Sequence, residues 1–206
     1  MVSVTIYVEG GGESKQLRTL CREGFNKLIK NLGFEGRMPK IVAGGGREKT
    51  YDMFNNCIAS ARIDEFPILL VDSEDPITSG PWDHLKARDN WNRPVGVQDD
   101  QAQMMATCME TWIMADHETL RNFFGSCLRE RTLIQGNDLE NRSRKELLEA
   151  LESATNNCGR NRGYKKGMCS FQILAKLNPR SLERNLPYFC RFKETLDRHL
   201  PPIRQS

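Results

Sequence analysis

The sequence predicts an α/β fold, with a mostly parallel central sheet flanked by helices and a helical C-terminal part. Three observations carry the prediction. Short apolar runs at residues 4–8, 40–43 and 66–71 are separated by stretches with helical apolar periodicity. The first two runs end in glycine clusters, the mark of a strand leaving a sheet through a tight turn. The third, Phe66-Pro67-Ile68-Leu69-Leu70-Val71, shows no polar alternation, as expected of a strand buried on both faces. The order strand–helix–strand–helix–strand then favours parallel strands joined by right-handed crossovers.

The elements follow in order. Residues 4–8 form a strand that ends at Glu9 and turns through Gly10, Gly11 and Gly12. Residues 14–32 form a helix, because Leu17, Leu20, Cys21, Phe25, Leu28, Ile29 and Leu32 share one face. Gly33 is its stop. Residues 40–43 are a second strand, and residues 48–61 a second helix through Tyr51, Phe54 and Ile58. After the strand 66–71, residues 76–98 hold Pro76, Pro81 and Pro94 with Trp82 and Trp91, and read as a long loop, a frequent carrier of function. Residues 100–115 read as a third helix, and Asp116 caps a short one reaching Phe124. Ser143 and Glu146 form a capping box for a helix ending near Ser153. Residues 159–167 read as a basic loop, and 168–177 and 187–200 as helices. Residues 1–124 would thus be the α/β domain, and 125–206 a helical extension packed on the same domain.

A chain of 206 residues suffices for one domain with a real core. Its 38% hydrophobic and 28% charged residues exclude a disordered chain. No apolar run is long enough for a membrane span, and the first nine residues lack the basic region of a signal peptide. Seven cysteines without a C-x-x-C pair imply reduced thiols and a cytoplasmic protein. The net charge of +3 conceals an asymmetry. Residues 1–115 carry 13 Lys+Arg against 16 Asp+Glu, whereas residues 116–206 carry 17 against 11. The basic second part suits a polyanionic partner.

In a parallel sheet, ligands sit beyond the carboxyl ends of the strands. Glu9 stands at one such end, and Asp72, Glu74 and Asp75 stand just past another. Carboxylates brought together there repel one another unless a cation compensates. The suitable cation is a hard, oxygen-seeking one, Mg²⁺ or Mn²⁺. Such an ion can clamp a phosphodiester and activate water. Glu110 is either a further ligand or partner of that cluster, or a solvated helix charge. The glycine runs match neither a P-loop nor G-x-G-x-x-G, and read as tight turns that let a helix start close to the metal.

The segments Tyr7-Val8-Glu9-Gly10-Gly11-Gly12 and Leu69-Leu70-Val71-Asp72-Ser73-Glu74-Asp75 resemble the Toprim pattern, a strand ending in Glu-Gly and a later strand ending in Asp-x-Asp or Asp-x-Glu. That pattern is shared by topoisomerases, primases and overcoming-lysogenization-defect-type nucleases. Nearly the whole chain resembles a bacterial family of uncharacterised Toprim-like proteins, through Arg37-Met38-Pro39-Lys40-Ile41-Val42, through the run from Pro81 to Asp89, and through the run from Met109 to Asp116. Genes of that family often neighbour ATPase genes in defence-like clusters. The resemblance therefore implies a metal-dependent nuclease of antiviral defence, working with an ATPase partner. The second acidic position is Glu74 where aspartate is commoner.

Catalysis is then expected of Glu9, Asp72 and Glu74, which would also bind the metal, with Asp75 and Glu110 in reserve. Nucleic acid would meet His84 and Lys86 in the long loop, with His84 as a proton shuttle. It would also meet Arg160, Arg162, Lys165 and Lys166 in the basic loop, which otherwise is a solvated linker. A second copy of the chain is a further expected partner. The competing readings are a non-catalytic regulatory subunit of an ATPase and a plain nucleic-acid-binding module.

Overall fold

The computed structural model describes residues 2–159 and 163–202. Its centre is a four-stranded, all-parallel sheet built from β1 (Ser3–Gly11), β2 (Lys40–Gly45), β3 (Glu65–Asp72) and β4 (Ala102–Met105), in the order β2-β1-β3-β4. The predicted α/β architecture is therefore present. β1 and β3 are direct neighbours, in register from Ser3 opposite Glu65 to Val8 opposite Leu70. The chain leaves β1 for one edge of the sheet and β3 for the other. The gap between their carboxyl ends is thus the switch point where parallel sheets hold ligands.

Alternation along the strands serves both faces. Val4, Ile6, Val8, Ile68 and Leu70 pack with α1 (Lys15–Ile29) and with helices of the second half, in one core with Phe25, Leu28, Trp112, Phe189 and Phe192. Trp112 sits at its centre, edge-on to Phe25 at 6.1 Å and to Phe189 at 4.9 Å. Leu69 and Val71 point the other way, toward Phe54 of α2 (Arg47–Ser60) and toward Trp82, Leu85 and Trp91. Burying such aromatic side chains contributes about 3–5 kcal/mol each against truncation to alanine.

Two expectations about elements need correction. Residues 76–98 are not a bare loop, because Pro81–Asp89 forms a helix, α3. Pro81 occupies its first position, where the missing N–H is no loss, and Asn90 closes it in the left-handed region. The two tryptophans cover the sheet, and Trp91 stacks on Tyr51 at 4.1 Å. Residues 100–115 are not one helix either. A short turn at Asp99–Gln101 leads into β4, a turn follows, and only then comes α4 (Met109–Met114). Ala102, Gln103, Met104 and Met105 are all buried, so the strand lacks the alternation that would have distinguished it from a helix.

The second half adds α5 (His117–Phe124), α6 (Arg144–Thr155), α7 (Met168–Leu174), α8 (Pro179–Asn185) and α9 (Pro187–His199). Asp116 caps α5, its side chain accepting from Thr119 N at 3.1 Å, and the Ser143–Glu146 capping box opens α6. The expected helix over 168–177 ends earlier, and Asn178 with Pro179 starts a separate one. The expectation of seven reduced thiols is also corrected: Cys127 and Cys158 form a disulfide, joining the chain after α5 to the end of α6. Spacing alone gave no hint of it, since the two lie 31 residues apart. Among the described residues, no helix is long and apolar enough to cross a membrane.

Candidate metal centre

Glu9 sits where β1 loses regular register against β2. Asp72 is the last residue of β3. Past it the chain is held against the end of β4, with Ser73 N donating to Met105 O at 3.1 Å and Glu74 N to Thr107 O at 2.7 Å. His84, buried on α3, donates from Nε2 to the Ser73 carbonyl at 2.9 Å. Glu74 itself adopts φ 67°, a left-handed conformation uncommon for a side-chain-bearing residue and often met at functional sites. Its carboxylate thereby joins the other two: ligand oxygens of Glu9, Asp72 and Glu74 lie within 4.8 Å of one another.

Two arginines hold this trio, and neither was singled out from the sequence. Arg47, the first residue of α2, donates from Nη1 to Glu9 Oε2 at 3.2 Å and also bonds the Asp72 carbonyl. Its other edge is fixed by Asp89, at 3.0 and 2.7 Å, and its guanidinium lies over the Trp91 ring at 5.0 Å. Arg144, the first residue of α6, pairs through Nη1 with Glu74. The Asp72 amide adds a bond to Glu9 Oε2 at 3.3 Å, and Asp72 Oδ1 accepts from Met109 N at 2.9 Å. The signal for Arg47 was available: it follows Gly44, Gly45 and Gly46 at the carboxyl edge, as Glu9 precedes its own glycines.

The electrostatics follow from burial. Loss of water pushes the Glu9 carboxyl above the ordinary carboxylate range, with Arg47 opposing and Glu74 adding to the shift. Asp72, only 5% exposed, is pushed well above that range by burial, then by Glu9 and Glu110, with Lys166 opposing. Both residues line a cavity of about 260 Å³ whose wall also carries Gly11, Gly45, Arg144 and Lys166. Gly11 has φ 87°, and a Cβ there would lie 2.6 Å from Arg18 Cα, so the close start of α1 requires glycine. Three oxygen donors converging beside this cavity suit a hard divalent cation, and the cluster can hold a metal ion.

Other predicted residues stand elsewhere. Glu110 is buried on α4, outside the trio: Tyr164 Oη donates to its Oε1 at 2.8 Å, and Lys166 Nζ lies 3.7 Å from its Oε2. Ser170 Oγ lies 2.9 Å from the same Tyr164 oxygen, which locks the ring. Glu110 is thus neither a solvated charge nor a member of the trio; it faces the lysine that reaches the cavity. Asp75 is exposed and pairs with Arg88 at 3.2 Å. His84 is buried behind the Asp72–Asp75 turn, not displayed in an open loop, so it positions that turn. Lys86 is exposed and donates at 2.7 Å to Oδ1 of Asn90, the residue that closes its helix. Lys165 and Lys166 are exposed, and both border a larger cavity of about 960 Å³ beside the disulfide. Arg160 and Arg162 lie outside the described residues.

Comparison with known proteins adds one match: the family model "Domain of unknown function (DUF4276)" covers residues 8–197. No curated protein and no solved structure matches the chain.

Proposed function

The chain belongs to the DUF4276 family, and we propose that it is a metal-dependent nuclease of the Toprim type, hydrolysing phosphodiester bonds of DNA or RNA. The observation that supports this reading most is the convergence of Glu9, Asp72 and Glu74 at the β1–β3 switch point, where Glu9 and Asp72 line one cavity with Lys166 and Arg144.

Mg²⁺ or Mn²⁺ would be held by those three carboxylates. When bound, such an ion neutralises charge on a phosphate and makes nearby water more acidic. The side chains supply the rest. Glu9 binds Arg47 and the Asp72 amide through Oε2, which leaves Oε1 to accept or return a proton. Lys166, steadied by Glu110 and in turn by Tyr164, offers a positive charge on the same cavity as the carboxylates, suited to the charge that develops on a phosphate in flight. Lys165, exposed next to it, suits contacts with the flanking backbone. The gene-cluster setting that the resemblance implies adds an ATPase partner in the cytoplasm, and a role as effector in antiviral defence.

The test is an assay of the purified full chain, alone and with its neighbouring ATPase, on labelled single- and double-stranded DNA and RNA with Mg²⁺ or Mn²⁺. Cleavage should require the ion. Glu9→Ala should abolish turnover while nucleic-acid binding is kept or tightened, since one negative charge is lost. Unchanged cleavage in Glu9→Ala would refute the catalytic reading and leave the regulatory-subunit alternative.

A further inference from the structure

We propose that Arg47 and Arg144 take up the charge a second cation would carry, so that the Glu9–Asp72–Glu74 site binds one divalent ion and not a pair. The inference rests on the metal-dependent reading above and adds a stoichiometry to it.

Each arginine engages a different carboxylate of the trio. Arg47 Nη1 stands 3.2 Å from Glu9 Oε2 and cannot swing away easily, because Asp89 grips its far edge through two bonds and Trp91 backs its plane. Arg144 engages Glu74 from the start of α6, where the capping box fixes the helix end. Among the described residues, Asp72 alone of the trio has no arginine on its carboxylate; one of its oxygens accepts the Met109 amide.

Charge counting over the connected network points the same way. Glu9, Asp72, Glu74, Asp75, Asp89 and Glu110 are linked by ion pairs or proximity to Arg47, Arg88, Arg144 and Lys166. Among the described residues, six carboxylates against four cations leave this network at minus two, and the trio with its two arginines at minus one, so a single divalent ion suffices. Paired-ion sites hold their metals roughly 3.5–4 Å apart with carboxylates bridging them. Here a second ion would have to displace a guanidinium from Glu9 or Glu74, or sit against it. The arginine and lysine side chains then supply the positive charge toward substrate that a second metal supplies elsewhere.

The full-length chain, stripped with a chelator, is titrated with Mn²⁺ by calorimetry, and the bound ion is observed by electron paramagnetic resonance. The expected result is one Mn²⁺ per chain with the spectrum of an isolated ion. Arg144→Gln should tighten Mn²⁺ binding about tenfold by freeing Glu74, and Arg144→Lys should restore the wild-type affinity. Two Mn²⁺ per chain with an exchange-coupled spectrum would overturn the inference and leave the metal reading standing. Unchanged or weaker binding in Arg144→Gln, with a native circular-dichroism spectrum, would overturn the role given to Arg144. If that variant does not fold, the wild-type stoichiometry still decides. No binding to the wild type would remove the metal reading itself, and this inference with it.

Discussion

Replacing Asp72 by asparagine separates the charge of the site from its shape. Asparagine is nearly isosteric, and its Oδ1 can still accept the Met109 amide, now at 2.9 Å. The charge goes. At 4.8 Å, the limit of the trio's spread, two carboxylates repel by roughly 3.5 kcal/mol at an effective dielectric of about 20. Asp72 meets two such neighbours, Glu9 and Glu74. Arg47 and Arg144 offset most of that, while Glu110 and Lys166 act in opposite senses on it. What remains is incomplete cancellation plus the desolvation of a buried anion, so the metal-free variant should be more stable by about 1–3 kcal/mol. For a chain of this size that is a rise in Tm of about 3–9 °C. The sign with pH also follows. The folded-state pKa of Asp72 lies above its unfolded value, so its contribution favours folding at acid pH and is lost as pH rises through the folded value. The gap between variant and wild type should therefore narrow as pH falls. Calorimetric melting in a chelating buffer from pH 5 to 8 measures both effects. Repeating it in Mn²⁺ at about a hundred times its Kd should stabilise the wild type by roughly 2.7 kcal/mol and leave the variant unmoved. A metal-free variant that melts several degrees below wild type, or one that keeps its response to Mn²⁺, would refute the reasoning.

Three further outcomes are expected. Burial pushes the Glu140 carboxyl up to about 7, where it accepts the Tyr188 amide at 3.0 and 3.2 Å; its favourable contribution is lost as pH climbs through that value, so Glu140→Gln should exceed the wild type in urea stability at pH 8 and match it near pH 5. The disulfide closes a stretch of 31 residues, for which the chain-entropy relation gives about 3.7 kcal/mol. The double variant Cys127→Ser, Cys158→Ser should lose up to that amount, a dithiol reductant should produce the same loss in the wild type, and an unchanged melt under reduction would count against the bond. Lys165→Ala with Lys166→Ala should weaken nucleic-acid binding and flatten its salt dependence by roughly one to two units of slope; a slope equal to wild type would remove this loop from the interface.

Much of the fold was legible because the hydrophobic pattern and the glycines agreed. The run 66–71 appears as the central strand β3, and residues 4–8 as its partner β1. Glycine clusters marked strand ends, and Glu9, Asp72 and Glu74 met as placed. Illegible parts share a physical cause: their cues depend on tertiary contact. β4 is buried throughout, so four residues carried no period. α3 starts on a proline and covers the sheet with tryptophan, a composition that suggests loop when read locally. Arg47 and Arg144 gain meaning only from carboxylates 38 and 70 residues away. The Glu110–Tyr164 bond spans 54 residues, and spacing could not rank it above a solvated charge.

The asymmetry of charge along the chain takes on a spatial sense in this arrangement. The anions of the site come from the acidic part: Glu9 on β1, Asp72 at the end of β3, Glu74 just past it, Glu110 on α4. Two cations that face them, Arg144 and Lys166, come from the basic part. Each part alone would be poorly balanced at this edge of the sheet, because without Arg144 and Lys166 the trio has, among the described residues, Arg47 alone against buried repulsion. Tyr164 ties the parts together at a second point, its amide donating to Thr155 Oγ1 at 2.7 Å at the end of α6 and its hydroxyl reaching Glu110 on α4. The disulfide secures that same end of α6 to the chain leaving α5. The segment that carries Lys166 to the cavity is therefore held by the helical half while its charge is matched by the sheet half. Asp72 is left without a paired arginine among the described residues just where Glu9, Asp72 and Glu74 converge, which is where a divalent cation is proposed to bind.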